Sequence, residues 1–384
     1  MLTEVSYVRR ARAAAEVIAP LSARIERERS LPPEAVGALV GAGVYKMLVP
    51  LAFGGGEAPA ATLLEVIEEL ARADGSAGWC AMIGATSALM SAYLEPELAR
   101  EVYGPADAIT CGSFAPLGRA ELVEGGYRVR GRWPFASGCE HASWRMGGVL
   151  VGAGGPGGAA GRAPEPRSVL FRADETKIFD TWHVSGLCGT GSHDFEVAER
   201  VVPATRVFSL FGPPKQPGAL YRLPLFGLLA AGVAMVSLGL ARRAIDVFTE
   251  LAGAKRPPGS KPSIAHRELV QLHLAQAEAK ARSARAFLFD ALGRVVDEVD
   301  AGDAASLRSR ALLRLAAAHA AAEAAAAVDL VYHAGGASSV YAESPLQRCF
   351  RDVHVATQHV MVSPTSTTLA GRVLLGLESD VTTL

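Results

Sequence analysis

The sequence is poor in cysteine and has no cysteine motif. Its 384 residues include five cysteines, an odd number that cannot pair completely. They lie far apart, and no two form a C-x-x-C pair: Cys80, Cys111, Cys139, Cys188 and Cys349. Such a dispersed set argues against a disulfide framework or a structural zinc site and is typical of a reducing compartment. We therefore expect a cytoplasmic protein whose cysteines serve as small apolar side chains.

An excess of either charge is also absent. Lys and Arg number 38, Asp and Glu number 39, and the formal net charge is -1. A balanced composition gives no general attraction to nucleic acid or to an anionic membrane, so we expect neither as a partner. The segment Met1–Ser30 lacks the apolar core of a signal peptide and has the pattern of an amphipathic helix.

The long uncharged run Leu223–Ala241 has about the length of a membrane span. It contains three glycines and Pro224, however, and its helical pattern continues into Arg242–Phe248, where charge returns on one face. A helix buried on all sides within a bundle explains this pattern better than a bilayer does. We therefore do not expect a membrane protein.

The hydrophobic pattern changes twice along the chain. Helical periodicity covers residues 1–107, short β-rich runs separated by Gly and Pro cover 108–212, and helical periodicity returns over 213–384. We predict three corresponding domains: an N-terminal helical domain, a central β domain and a C-terminal helical bundle. Helices and strands do not alternate, which excludes a doubly wound sheet and predicts an α+β fold that is mainly α.

Three short segments of the β domain carry more local predictions. Gly125-Gly126 predicts a hairpin, and Thr181–Val184 is predicted to be a strand. Gly152–Gly157 matches G-x-G-x-x-G, but the Gly- and Pro-rich residues that follow cannot open the helix that dinucleotide binding requires. We interpret this segment as a loop between strands.

The C-terminal helices are rich in alanine, above all over Ala304–Ala334. Small side chains permit close antiparallel packing of helices. Together with Leu223–Ala241, these helices offer more apolar surface than one subunit is expected to bury. We therefore predict a homotetramer built through the C-terminal helices.

Two segments of the β domain resemble the flavin-facing part of the acyl-CoA dehydrogenase superfamily. They are Trp133–Trp144, which reads WPFASGCEHASW, and Trp182–Asp194, which reads WHVSGLCGTGSHD. The first is most similar to the branch of two-component flavin monooxygenases. The resemblance implies an acyl-CoA dehydrogenase-like fold, in which the central domain is β-barrel-like and the C-terminal domain is a four-helix bundle.

The resemblance also implies roles for particular residues. In the superfamily, a Ser or Thr at the position of Ser137 hydrogen-bonds N5 of the flavin, and an aromatic residue at the position of Phe135 packs on the ring. If the resemblance is set aside, the interpretation of Ser137 is a side-chain hydroxyl that hydrogen-bonds backbone groups at a strand end. The other residues that the resemblance places at the cofactor are Trp133, Arg256, Gly335, Gly336 and Arg351.

Some of these residues have a second interpretation. Gly335-Gly336 also predicts the end of a helix followed by a loop, and the two interpretations are compatible because glycine permits both. The alternative interpretation of Arg351-Asp352 is a structural ion pair. Arg256, near a bundle helix, is expected to reach the flavin phosphate of a neighbouring subunit.

His359 lies in a segment that resembles the one reaching the flavin edge in the monooxygenases. There a histidine contacts the substrate and the oxygenated flavin, and we expect the same of His359; Ser87 and Phe114 are the other expected substrate contacts. Dehydrogenases have a catalytic glutamate near this point, but Val360 occupies it, and Gln216–Ala241, the other usual position, contains no Asp or Glu. Removal of a proton α to a thioester requires such a base, so this pattern disfavours dehydrogenation.

We therefore predict the oxygenase component of a two-component monooxygenase. It is expected to take reduced flavin, FMN more readily than FAD, from a separate reductase, and to use O2 to hydroxylate or otherwise oxygenate a small aromatic or polyketide-like substrate. Ser137 and His359 are the expected catalytic residues, and no metal is expected. Two alternatives remain open: an acyl-thioester dehydrogenase with bound FAD, and a non-catalytic helical assembly protein.

Overall fold

The N-terminal part of the chain is helical. The computed structural model describes residues 4–152, 164–259 and 261–384. The helices of this part are α1 Glu4–Ile18, α2 Ser22–Glu28, α3 Pro33–Ala42, α4 Ala60–Ala73, α5 Gly75–Ala88 and α6 Pro96–Tyr103. The carboxylate of Asp74 accepts the backbone N–H of Ala77 at 3.0 Å, which caps the start of α5. α5 is buried along almost its whole length, so it can form the wall of an internal site.

The described residues in the middle of the chain form a seven-stranded sheet. Its strands are β1 Thr110–Val123, β2 Gly126–Trp133, β3 Trp144–Val151, β4 Glu165–Arg172, β5 Lys177–Phe179, β6 Asp194–Val202 and β7 Val207–Phe208. The order is β5-β6-β2-β1-β3-β4-β7, with β1 and β3 parallel and the other neighbours antiparallel. The predicted hairpin is confirmed: Gly125 and Gly126 join β1 to β2 with φ values of 86° and 144°, which favour glycine.

The C-terminal part is a bundle of long helices. They are α7 Leu225–Ala254, α8 Glu268–Asp300, α9 Leu307–Gly335, α10 Pro345–Ala356 and α11 Pro364–Leu374. α9 packs against α7 and α8, and most of its alanines are buried at these contacts. One hydrophobic core extends through the helical and β parts of the molecule. The predicted fold class, mainly α with a central β part and a helical bundle, is confirmed.

The bundle buries more apolar surface within one subunit than the sequence suggested. Two helical stretches, α7 and Leu307–Ser339, are long and apolar enough to cross a membrane. Of the apolar 18-residue segment in each, however, 83% and 67% are buried inside the molecule. The premise that α7 needs a neighbouring subunit is therefore wrong, because α4, α5, α9 and α10 already pack against it. Exposed large apolar side chains remain on α8 and near the chain end, at Leu269, Leu272, Leu374, Leu375 and Leu377.

The prediction of a strand over Thr181–Val184 was wrong. The backbone N–H groups of Thr181 and Trp182 both donate to Nδ1 of His193, each at 3.2 Å, so a side chain takes the donors that a sheet would use. The strand β5 forms a few residues earlier and pairs with β6. The predicted loop over Gly152–Gly157 lies outside the described residues except for Gly152, which follows β3.

The segment after Gly335-Gly336 also differs from its prediction as a loop. α9 ends at Gly335, and Gly336 follows with a φ of 58°, which confirms the predicted helix end. A new helix, α10, then begins at Pro345, a residue favoured in the first turn. Its buried side chains Leu346, Cys349 and Val353 recur at helical spacing, so the signal for this helix was present in the sequence.

Candidate active site

A large cavity lies where the three parts of the chain meet. Its volume is about 780 Å³, within the range of pockets that hold cofactors and small molecules. α5 forms one wall, β1 with the loop after β2 forms a second, and α7 with the turn after α10 forms a third. The site therefore exists only in the folded molecule.

The cavity is mostly apolar and, among the residues that the structure describes, has no Asp or Glu in its wall. Of the wall residues that are described, two have ionisable side chains, Arg167 and His359. Arg167 lies on β4 and forms an ion pair with Glu165 at 2.7 Å. The rest of the wall consists of aromatic, aliphatic, hydroxyl and amide side chains. The described part of the wall thus offers no carboxylate of the kind that abstraction of a proton from carbon commonly requires.

Ser137 belongs to a buried chain of hydrogen bonds. The indole Nε1 of Trp79 donates to Ser137 Oγ at 3.0 Å, and Ser137 Oγ lies 2.7 Å from Ser192 Oγ. Ser192 Oγ lies 2.7 Å from Thr190 Oγ1, which donates to the carbonyl oxygen of Leu187 at 2.9 Å. The three hydroxyl-bearing residues line the cavity and are almost fully buried. We refer to Ser137, Ser192 and Thr190 as the hydroxyl chain.

The backbone brings the members of the hydroxyl chain together. The N–H of Gly138 donates to the carbonyl oxygen of Thr190 at 2.8 Å. Gly138 has a φ of 73°, which lets the chain turn immediately after Ser137. The two hydroxyls of Ser137 and Ser192, 55 residues apart in sequence, therefore meet because the two motif segments are joined through their main chains.

Two cavity residues have backbone conformations that non-glycine residues rarely adopt. Phe135 has a φ of 61° and Leu187 a φ of 50°, and such conformations cost on the order of 1–3 kcal/mol each. Phe135 is also 69% exposed, although it is a large aromatic residue, and its ring meets Trp182 edge to face at 6.2 Å. A strained and exposed aromatic ring at a cavity is typical of a site in which a ligand covers the ring.

His359 follows α10 and lies beside Trp79, with the ring centroids 5.5 Å apart in an edge-to-face arrangement. Its Nδ1 accepts the backbone N–H of Met361 at 3.3 Å, so the proton of the neutral ring is on Nε2. Burial, and after it the charge of Arg314, lowers the pKa of His359 to about 4. At neutral pH the residue is therefore an uncharged hydrogen-bond donor through Nε2–H.

A second buried ionisable group lies next to the cavity wall. Asp352, on α10, accepts the backbone N–H of Leu187 at 2.6 Å. Burial raises the pKa of Asp352 to about 7, and the nearby Asp74 acts in the same direction. The guanidinium of Arg351 pairs with Glu26, so the ion pair between Arg351 and Asp352 that the sequence suggested is not formed.

The structure brings together most of the predicted site residues. The cavity is lined by each of Ser87, Phe114, Phe135, Ser137 and His359. They come from α5, from β1, from the loop after β2 and from the turn after α10. Their roles stay predictions, but their common location is a property of the fold.

Trp133 requires a correction. It is fully buried, its Nε1 donates to the carbonyl oxygen of Gly148 at 2.7 Å, and its ring stacks on Phe195 at 5.0 Å. A Cβ atom on Gly147 would lie 2.5 Å from the indole, so this glycine makes room for the ring. The side chain of Trp133 therefore belongs to the packed core of the β part, and the prediction that it contacts the cofactor is withdrawn.

The residues predicted to contact the flavin tail do not line the cavity of this subunit. A Cβ atom on Gly335 would lie 2.2 Å from Ser339 Oγ and would displace this hydroxyl from its hydrogen bond to the carbonyl oxygen of Tyr332, so internal packing by itself favours a glycine there. Arg256 is exposed, and Gly336 is exposed as well. One subunit does not bring these residues to its own cavity. Contacts of a cofactor with Gly335, Gly336, Arg256 or Arg351 therefore stay predictions.

Sequence reasoning missed several residues of the site. Trp79, Thr190 and Ser192 complete the hydrogen bonds around Ser137, and Arg167 provides a permanent charge in the cavity wall. A signal for two of them was available, because Thr190 and Ser192 flank a glycine within the second motif. Nothing in the sequence pattern marked Arg167.

The order of helices, sheet and helical bundle around one cavity defines the acyl-CoA dehydrogenase-like class of proteins. Residues 7–98 match the family described as acyl-CoA dehydrogenase, N-terminal domain, and residues 231–364 match acyl-CoA dehydrogenase, C-terminal domain. The chain is 35% identical over 352 residues to the indole-3-acetate monooxygenase of Pseudomonas putida, covering 91% of this chain and 89% of that protein.

Two further relatives agree with this match. The chain is 30% identical to the oxygenase component of the FADH2-dependent resorcinol hydroxylase of a Rhizobium species, covering 97% of this chain and 95% of that protein. The crystal structure of 3-HSA hydroxylase from Rhodococcus sp. RHA1 has a TM-score of 0.92 and 25% identity, covering 99% of both chains. The chain therefore belongs to the acyl-CoA dehydrogenase superfamily and, within it, to the flavin-dependent monooxygenases, as the motifs predicted.

The cavity fits a flavin ring in size and in chemistry. A flat aromatic cofactor needs broad apolar walls and a few polar groups at its edge. Phe135 offers an exposed aromatic side chain, and Ser137 offers a hydroxyl two residues further along the same wall. Across the described part of the chain, no group of three or more His, Cys, Asp or Glu side chains is arranged to hold a metal ion.

Proposed function

We propose that this chain, as an oxygenase component, takes reduced flavin from a separate reductase and hydroxylates a small aromatic substrate. The observation that carries this proposal is the set of side chains that line the cavity. It combines the hydroxyl of Ser137, the exposed ring of Phe135 and the neutral imidazole of His359 in a wall whose described residues include no acid.

Reduced flavin, when bound, activates O2 so that one oxygen atom passes to the substrate. The chain's own residues bind, orient and exclude water. Ser137 would contact N5 of the flavin, and Phe135 would pack on its ring. Apolar side chains of α5 and α7, such as Met82 and Leu229, keep water from the reacting atoms, where it would promote loss of hydrogen peroxide. His359 would donate its Nε2–H to the substrate or to the oxygen being transferred.

The alternative of an acyl-thioester dehydrogenase has no support in the cavity. That reaction requires a strong base beside the flavin to remove the α-proton. Val360, which the sequence resemblance places where the dehydrogenases have a glutamate, lies in the wall, and the described wall residues include no carboxylate. The alternative of a non-catalytic assembly protein does not account for the strained, exposed Phe135 at an open cavity.

We also infer that the substrate is an aromatic ring with an anionic group. Phe114, Phe211 and Phe226 line the cavity and suit a flat ring, and relatives are named for the aromatic compounds indole-3-acetate and resorcinol. Arg167 supplies a permanent positive charge in the wall, where its Nη2 lies 2.7 Å from Oε1 of Glu165. A carboxylate on the substrate would pair with this guanidinium.

Replacement of Arg167 tests this inference. Arg167→Gln should raise KM for an arylacetate substrate by about 10- to 100-fold, the effect of losing one charge-assisted hydrogen bond. The matched control is the corresponding neutral arylacetamide, whose KM should be the same in both proteins. An equal rise of KM for the acid and the amide would contradict a charge-specific role.

Finer parts of the proposal concern the cofactor, the assembly and the compartment. Competition between reduced FMN and reduced FAD tests the preference for FMN. A homotetramer is supported by the exposed leucines of α8 and of the chain end, and a cytoplasmic location by five free cysteines. The proposed domain boundaries at 107/108 and 212/213 lie between α6 and β1 and between β7 and α7.

Anaerobic titration followed by mixing with O2 tests the central proposal. The protein should bind photoreduced flavin and, with an aromatic acid present, incorporate one atom of ¹⁸O2 into the product. Oxidation of an acyl thioester instead would favour the dehydrogenase. Failure to bind flavin in either redox state would favour the assembly protein.

A further inference from the structure

Only one arrangement of the hydroxyl protons forms every hydrogen bond of the hydroxyl chain. At one end is Trp79 Nε1, which can only donate, and at the other is the carbonyl oxygen of Leu187, which can only accept. Between them stand three hydroxyls, each with one proton. Three contacts need a hydroxyl proton: Thr190 to Leu187, Ser192 with Thr190, and Ser137 with Ser192.

This count assigns every proton. Thr190 must donate to Leu187, because the carbonyl has no proton to give. Ser192 must then donate to Thr190, and Ser137 must donate to Ser192. The proton of Ser137 is therefore used in the hydrogen bond to Ser192 and is not available to a ligand. Its oxygen already accepts the N–H of Trp79 and has one lone pair left for a ligand.

We propose that the hydroxyl chain makes Ser137 a hydrogen-bond acceptor toward the ligand, so that Ser192 and Thr190 select reduced over oxidised flavin. This inference rests on the proposed function, in which N5 of the flavin meets Ser137. N5 of reduced flavin carries a proton and can donate to the free lone pair. N5 of oxidised flavin has no proton and needs a donor, which the intact chain does not provide.

The size of the preference follows from the same count. Reversing the chain would let Ser137 donate to oxidised flavin, but Thr190 would then lose its bond to Leu187. Binding of the oxidised form therefore costs one hydrogen bond relative to the reduced form. A net hydrogen bond of ordinary strength corresponds to about a fivefold change in affinity. Ser192 and Thr190 act here as positioning residues, because they work through Ser137.

Thr190→Val tests the proposal without changing Ser137. Valine has nearly the shape of threonine but cannot hold the end of the chain, so reversal no longer costs a bond. Dissociation constants for oxidised FMN and for anaerobically reduced FMN should be measured for each protein. The ratio of the two constants should fall by about fivefold in Thr190→Val, mainly through tighter binding of the oxidised form. Ser192→Ala should give the same result by an independent route.

Two matched variants serve as controls. Thr190→Ser keeps a hydroxyl at the end of the chain and should keep the wild-type ratio. Trp79→Phe removes a donor beside Ser137 but leaves the proton of Ser137 directed to Ser192, so it should also keep the ratio. NMR of oxidised flavin labelled with ¹⁵N at N5 gives a readout independent of affinity: the resonance should have its hydrogen-bonded position in Thr190→Val and not in the wild type.

The outcomes separate this inference from the proposed function. An unchanged ratio in both Thr190→Val and Ser192→Ala, with flavin bound, would overturn the role of the hydroxyl chain and leave the proposed function standing. Equal weakening of both redox states would also overturn it, because that result indicates a merely structural role. If the wild type bound neither reduced nor oxidised flavin, that result would overturn the proposed function and this inference with it.

Discussion

The neutral state of His359 leads to a sharp prediction about the chemistry. The ordinary pKa of histidine is about 6.5, and burial together with Arg314 lowers that of His359 to about 4. The difference corresponds to about 3 kcal/mol in favour of the uncharged ring. At pH 7 only about one ring in a thousand is protonated. His359 should therefore act as a hydrogen-bond donor through Nε2–H and not as an imidazolium acid.

Two substitutions separate these roles. His359→Ala removes the donor, and loss of one preorganised donor typically lowers kcat by about 10²–10³. Oxygenated product should fall by this factor while release of hydrogen peroxide rises, because flavin and O2 still react. His359→Gln is the matched control: its amide N–H can donate but does not titrate, so a substantial part of the product should return.

Product and hydrogen peroxide should be measured in the wild type and in His359→Gln between about pH 5.5 and 8.5. Because the folded pKa of His359 lies below its ordinary value, the ring loses its neutral form only as the pH falls toward 4. The two pH profiles should therefore coincide over this range. A wild-type midpoint between about pH 6 and 7 that is absent from His359→Gln would refute the neutral-ring assignment. Unchanged product in His359→Ala would refute any catalytic role.

Three further predictions concern the cofactor contact, pH-dependent stability and assembly. Ser137→Ala should keep the fold and raise the ratio of hydrogen peroxide to product by about fivefold, since one hydrogen bond to the flavin is lost; an unchanged ratio would mean that Ser137 is structural. The pKa of Asp352 is raised to about 7, which means that the folded protein holds this carboxyl in its neutral form. Ionisation of the buried carboxyl therefore lowers the free energy of unfolding as the pH rises from about 4 to 7. Asp352→Asn should therefore gain up to about 4 kcal/mol in free energy of unfolding at pH 8 and almost nothing near pH 4; urea unfolding at both pH values measures this, and an equal effect at both would contradict it. Sedimentation at micromolar concentration should show a tetramer, and replacement of Leu269 and Leu272 by Gln should dissociate it; a wild-type monomer would contradict the proposed assembly.

Part of the fold followed from local patterns. The change from helical to β and back to helical periodicity predicted the order of the elements, because the side-chain repeat of a helix or strand is a local property. The glycines at 125 and 126 predicted the hairpin for the same kind of reason: few other residues adopt their positive φ values. Resemblance of the two motif segments then indicated the superfamily, which the comparisons with known proteins confirmed.

Other local predictions failed where a distant group changed the outcome. Thr181 and Trp182 have strand-forming side chains, but His193 takes their backbone donors, so no strand forms. α7 has the composition of a helix that needs a partner, but five other helices of the same subunit, α4, α5, α8, α9 and α10, pack against it. In each case the deciding contact comes from elsewhere in the chain.

The sequence by itself therefore determined the order of the helical and β parts, the superfamily and the candidates Phe135, Ser137 and His359. Only the tertiary structure decided what surrounds them. Trp133 lies two residues before Phe135, yet its ring enters the packed core while Phe135 reaches the cavity, because the backbone turns after β2 into a left-handed conformation at Phe135. The direction of the Ser137 proton depends on Ser192, which folding brings within 2.7 Å across 55 residues of chain. Hydrogen-bond direction and cavity shape depend on such long-range contacts, which no local pattern in the sequence contains.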